Sequence, residues 1–100
     1  DDLTNNLNVF VGIGSGKTNT TGSSNTAIGY WSLEKNLGGS SNTAIGFRTL
    51  YSNTSGQYNA ATGYQALNSN TTASNITATG SYALFNNTTG TGNTAFGALT

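Results

Sequence analysis

The sequence predicts an all-β fold, a β-solenoid or β-roll of six 17-residue repeats with two short strands per rung. Three observations predict it. A pentapeptide ending in glycine returns without a slip, as in Asn25-Thr26-Ala27-Ile28-Gly29, Asn42-Thr43-Ala44-Ile45-Gly46 and Asn93-Thr94-Ala95-Phe96-Gly97. A second marker keeps the same step, with Leu33, Leu50, Leu67 and Leu84 four residues past a glycine and Asn19, Asn36, Asn53, Asn70 and Asn87 seven past. Only 6% of the residues are charged and the rest are dominated by Asn, Thr, Ser and Gly, yet ten aromatics sit at recurring places, which favours order by stacking over disorder.

Residues 1–7 form an N-terminal partial repeat that fits the pattern only loosely, and 8–100 form a single array whose repeats start at 8, 25, 42, 59, 76 and 93, with no separate domains. Within each repeat the first element is the β-favouring run Thr-Ala-Ile, closed by a corner glycine at Gly12, Gly29, Gly46, Gly63, Gly80 or Gly97. Tyr-x-Ala-Leu is expected as a second strand, and Asn-Thr-Thr-Gly-Ser-Ser as the loop that returns the chain to the next rung. Helices are disfavoured by the Thr, Asn, Gly and Ser density and by two glycines in each 17 residues. The expected core ladder is Val11, Ile28, Ile45 and Phe96 from the first run and Leu33, Leu50, Leu67 and Leu84 from the second.

One rung cannot stand alone. Burial of an Ile and a Leu contributes about 1.5–3 kcal/mol each, whereas ordering the backbone costs about 1–2 kcal/mol per residue. Hydrogen bonds and packing between rungs must supply the difference, and six rungs at the strand spacing would rise roughly 29 Å. The adjacent apolar pairs Ala27-Ile28, Ala44-Ile45, Ala66-Leu67 and Ala83-Leu84 place apolar side chains on both faces of a strand, so a parallel trimer or a laterally packed bundle is expected. Neither end reads as a polar cap, as expected of a window cut from a longer array or of a unit stacking head to tail in a fibre.

The strings Asn-Thr-Ala-Ile-Gly-Tyr, Gly63-Tyr64-Gln65-Ala66-Leu67 and Asn87-Thr88-Thr89-Gly90 resemble the head repeats of trimeric extracellular fibres. Similar arrays belong to phage tail-fibre-like proteins, and a more distant likeness is to the β-roll heads of YadA-type trimeric adhesins. The resemblance covers residues 8–100 and implies a parallel trimeric β-roll serving as shaft or head of an adhesive fibre, extracellular or on a virion or cell surface. Departures are Thr62 and Thr79 in place of larger apolar residues, Ile76 in place of Asn, and Gly16 in place of Leu.

Catalysis is not expected, because without His or Cys no Ser/His/Asp or Cys/His set can be built, and the carboxylates are limited to Asp1, Asp2 and Glu34. Glu34 beside Lys35 reads as a solvated pair on a loop. Gly12 to Thr18 faintly resembles a phosphate loop, but its spacing from Gly12 to Lys17 is one short and no helix is expected behind it. The turns lack the Asp of calcium-binding β-rolls, so no metal and no cofactor is expected. Net charge is zero, which gives no footprint for nucleic acid, and no apolar run is long enough to insert into a membrane.

Six Asn-x-Ser/Thr sequons mark candidate N-glycosylation sites at Asn19, Asn53, Asn70, Asn75, Asn86 and Asn87, four of them at one repeat position and therefore in a line along the rod. Good turn chemistry explains the same residues. Trp31 and Tyr82 share one position and Tyr51 and Phe85 another, which makes them candidate stacking aromatics for a cell-surface glycan, against a competing role in interface packing. Thr26, Thr43, Thr77 and Thr94 form an outward file, interrupted at Ala60, of the kind an ice-binding solenoid presents. The sequence thus reads as a structural segment of an extracellular fibre that pairs with itself. A glycan-binding or glycan-coated module is the alternative, and an ice-binding solenoid a lesser one.

Overall fold

The structure is a computed structural model and describes residues 7–100, so the partial repeat at 1–7, Leu7 excepted, lies outside the described residues, as do Asp1 and Asp2. Six strands follow one another in chain order: β1 (Val9–Val11), β2 (Thr26–Ile28), β3 (Thr43–Ile45), β4 (Ala60–Thr62), β5 (Thr77–Thr79) and β6 (Thr94–Phe96). They form one parallel sheet in the order β1 to β6. Each residue pairs with its equivalent one repeat later, as Ala27 with Ala44 and Ile28 with Ile45. The result is an all-β parallel solenoid measuring 36 × 22 × 15 Å.

The rung contains one strand, not two. The Tyr-x-Ala-Leu segment is a turn in which two residues take left-handed backbone, at φ 52° for both Arg48 and Leu50 and at 56° and 51° for Gln65 and Leu67. A strand would send neighbouring side chains to opposite faces. The left-handed residues instead let two neighbours point inward together, and Ala66 and Leu67 are both fully buried. Each such residue costs about 1–2 kcal/mol relative to right-handed backbone. Hydrogen bonds to both neighbouring rungs offset that cost: Arg48 N–H donates to Tyr30 O (2.9 Å), and Leu50 N–H donates to Ala66 O (3.0 Å).

The corner glycine closes the strand at φ 130° in Gly46 and 135° in Gly63, backbone that L side chains avoid. A Cβ on Gly46 would stand 2.6 Å from Gly63 O, so glycine is also what lets successive rungs approach.

The core differs from the expected ladder in one half. In β2 and β3 the middle residue faces inward, so Ala27 and Ala44 are fully buried, while Ile28 and Ile45 keep about 40% and 39% of their surface. Val11 and Phe96 likewise face outward, at 52% and 68%. The physical reason is the narrow rung: an Ile at the third strand position shares the outward side with the first, and only the small Ala fits opposite Leu. Leu33, Leu50 and Leu67 are buried, and Leu84 packs partly buried against the same cluster.

The first rung inverts this large-small pairing. Phe10 stands where the others have Ala and Gly16 where they have Leu, and a Cβ on Gly16 would meet the Phe10 ring at 2.4 Å. One ring therefore fills the space of the missing leucine. Ile76, in place of Asn, is buried at 1% and belongs to the core.

Candidate functional site

Two files of asparagine run through the interior. In the first, Asn25 N–H donates to Asn8 Oδ1 (2.8 Å), Asn42 N–H to Asn25 Oδ1 (2.9 Å), Asn59 N–H to Asn42 Oδ1 (3.0 Å) and Ile76 N–H to Asn59 Oδ1 (3.1 Å). The amide nitrogens of the same residues cross the rung, as Asn25 Nδ2 does to Gly39 O (2.8 Å). Ile76 has no amide with which to continue this file.

The second file joins side chain to side chain. Asn36 Nδ2 donates to Asn19 Oδ1 (2.8 Å), Asn53 to Asn36 (2.8 Å), Asn70 to Asn53 (3.0 Å) and Asn87 to Asn70 (3.1 Å). Each nitrogen spends its other proton on a carbonyl three residues ahead, as Asn53 does on Gly56 O (3.1 Å). Buried amides are costly unless bonded, and here both donors are used.

The expected line of sequons is therefore an internal ladder. Asn53 and Asn70 are fully buried, so the nitrogen that would carry a sugar is enclosed and already bonded twice. Asn19 and Asn87 continue the same file in a half-buried state, whereas Asn75 and Asn86 are exposed. Repeat position separates these classes, since the four ladder sequons lie seven residues past a corner glycine and Asn75 and Asn86 do not; the carbonyl three residues on, of Gly22, Gly56, Ala73 or Gly90, accepts the second bond.

The outward side of the sheet carries two files, Val9, Thr26, Thr43, Ala60, Thr77 and Thr94 beside Val11, Ile28, Ile45, Thr62, Thr79 and Phe96, and no charge. Thr43 and Thr94 are exposed, while Thr26 and Thr77 are half-buried. Thr77 and Thr79 flank buried Ala78 as a single Thr-x-Thr pair, and aliphatic side chains occupy most of the N-terminal half of the face.

Past the corner glycines lies an aromatic wall. Tyr30 and Phe47 stack with centroids 5.9 Å apart, and Phe47 and Tyr64 at 5.2 Å. Tyr82 meets Tyr64 edge-on at 5.3 Å and Phe85 at 5.5 Å. Desolvation pushes the Tyr82 phenol above its ordinary value, and the neighbouring Tyr64 adds to the shift by charge and hydrogen bonding. The four aromatics expected to offer stacking platforms, Trp31, Tyr51, Tyr82 and Phe85, are all half-buried, and their rings lie against one another or against neighbouring side chains. Tyr51 has the Arg48 guanidinium 4.2 Å from its centroid and Lys35 Nζ at 5.3 Å. Lys35 thus contacts an aromatic ring, and no ion pair joins it to Glu34 among the described residues.

Among the described residues no cluster of His, Cys, Asp or Glu could hold a metal ion, and no helix is long and apolar enough to cross a membrane. Gly16 of the phosphate-loop-like stretch gives its space to the Phe10 ring, and that stretch continues into turns rather than a helix. A hollow of about 320 Å³ against the last rung is lined by Tyr82, Leu84, Phe85, Asn86, Asn87, Leu99 and Thr100, which carry no acid, base or nucleophile pair. No protein-family model, no curated protein and no solved structure matches this chain.

Proposed function

We infer that this chain is a non-catalytic structural segment of an extracellular fibre, a tail fibre, surface adhesin or self-assembling fibril, whose rods pack side by side with other copies as a parallel trimer. The observation that carries the reading is the uncharged outward face of the sheet, where Ile28 and Ile45 remain about 40% and 39% exposed. Parallel sheets are found with both faces covered. Three-residue strands across six rungs offer a flat face of roughly 300 Å² at ordinary strand dimensions, well short of the ~800 Å² per partner of a stable pair. The adjoining wall with Tyr30 and Tyr64, 41% and 48% exposed, extends that surface round the corner glycine. A closed ring of three uses two sides of every copy, which favours a trimer over a dimer.

Sedimentation equilibrium of the purified chain beside Ile28→Lys/Ile45→Lys tests this. The reading predicts three chains for the parent and one for the variant, with unchanged circular dichroism. A monomeric parent at micromolar concentration would overturn it. Electron microscopy of the same sample separates short rods from long filaments.

A further inference from the structure

Arg48 is the one arginine of the chain and stands on the outside of the third turn segment, one rung above Trp31 and one below Gln65. Its guanidinium lies 4.2 Å from the Tyr51 centroid and 5.8 Å from that of Trp31. Its Nε is buried and makes no hydrogen bond among the described residues. No carboxylate pairs with it there, although Glu34 is half-buried in the adjacent rung. Two aromatic rings thus lie beside a planar cation, with its Nε desolvated and the side chain as a whole only half-buried. Lys35 adds a second positive charge near the same ring, its Nζ 5.3 Å from the Tyr51 centroid.

Packing a guanidinium against two rings restricts its rotamer freedom in advance, so less of the entropy of ordering it is charged to the ligand. A fixed fork of N–H donors matches a planar oxyanion with two parallel bonds. The aromatic faces are already taken by neighbouring groups, which leaves the cation rather than ring stacking as the attractive element. From Trp31 to Gln65 the surface around Arg48 spans two rung steps, about 10 Å, the length of one or two sugar rings and far below a protein interface. Gln65, half-buried at the same repeat position one rung on, adds an amide-bearing side chain to that span. We propose that Arg48, packed beside Trp31 and Tyr51, is a binding site for the carboxylate of an acidic sugar, a uronic-acid unit of a glycan.

Trp31 is the sole tryptophan and lies against the guanidinium, so its emission reports on the site directly. The full chain is titrated with a short glucuronic-acid oligosaccharide, following Trp31 emission and, in parallel, heat by calorimetry. Arg48→Gln is a safe variant, because glutamine already occupies the same position in the next rung at Gln65 with nearly the same backbone, φ 56° against 52°. The expected result is saturable binding that weakens with salt and falls roughly ten- to a hundredfold in Arg48→Gln. Arg48→Lys keeps the charge but not the fork, and is expected to lose binding to a similar degree. Equal binding by Arg48→Gln or Arg48→Lys would overturn the proposal, as would no saturable signal by either readout. Tighter binding of a neutral glucose oligosaccharide, a sulfated glucan or a glutamate-rich peptide would also overturn it, by assigning the site to another chemistry.

Discussion

Replacing Asn53 by Asp changes one nitrogen to oxygen in the middle of the internal amide file. Asn53 Nδ2 donates to Asn36 Oδ1 at 2.8 Å and to Gly56 O at 3.1 Å, while its Oδ1 accepts from Asn70 Nδ2 at 3.0 Å. The substitution removes both donated bonds and turns an oxygen toward two acceptors. Gly56 O keeps the amide of Asn42 at 2.9 Å, so the fully orphaned group is Asn36 Oδ1. An orphaned buried acceptor costs about 1–3 kcal/mol, and an uncompensated buried charge costs about 3–5 kcal/mol. Asn53→Asp is therefore expected to lose about 4 kcal/mol or more at pH 7. Asn53→Ala orphans the same acceptor and takes one bond from Asn70, without burying a charge, and should lose about 2–4 kcal/mol.

The pH dependence separates the two. Burial among acceptors raises the folded-state pKa of the introduced carboxyl above its unfolded value of about 3.9. The folded state then holds the proton more tightly than the unfolded one, so the deficit of Asn53→Asp grows as pH rises above about 4 and shrinks as pH falls. The deficit of Asn53→Ala stays flat. Urea unfolding between pH 3 and 8 reads both, and an Asp variant as stable as the parent at pH 7, or one whose deficit ignores pH, refutes the internal ladder.

Three further outcomes are expected. Gly46→Val forces a β-branched residue to φ 130° with its Cβ 2.6 Å from Gly63 O, and should cost about 3 kcal/mol or more; an unchanged melting temperature would remove the corner from the account. Phe10→Ala alone should cost about 3–5 kcal/mol and Gly16→Leu alone about 1–3 kcal/mol, whereas the double variant restores the Ala and Leu of the other rungs and should return to within about 1 kcal/mol of the parent. Additive losses in that double-mutant cycle would show that the ring does not fill the leucine's space. Because the Tyr82 phenol is raised by desolvation and then by Tyr64, its contribution to stability is present below pH 10 and lost as pH rises beyond; Tyr82→Phe should flatten the alkaline limb of a stability-against-pH curve.

The sequence carried the period, the corner glycines and the parallel order of the strands, because each depends on a residue that recurs in register. It misled on the adjacent apolar pairs. Ala27-Ile28 and Ala66-Leu67 look alike in sequence, yet the first is a strand with Ala in and Ile out, and the second a left-handed turn with both residues in. Nothing in Leu or Gln announces positive φ, since the backbone there is held by bonds to neighbouring rungs rather than by local preference. Leu33, Leu50 and Leu67 were read correctly as core; Val11, Ile28, Ile45 and Phe96 were expected there too but face outward, because strand alternation turns the third residue to the same side as the first and leaves the middle one inside. The asparagine files were hidden for a similar reason, since a polar residue in a turn motif reads as surface until its partners one rung away are known. Compensation in the first rung was visible only as two separate departures, Phe10 and Gly16, whose contact requires the fold.

Exchange of the asparagine side-chain amide protons, followed residue by residue by NMR, tests the stacked interior most directly. The Nδ2 protons of Asn25, Asn36, Asn42, Asn53, Asn59 and Asn70 are expected to exchange slowly, while those of exposed Asn75 and Asn86 exchange at the rate of a free amide. Fast exchange at Asn36, Asn53 and Asn70 would place those side chains in solvent and contradict the stacked interior.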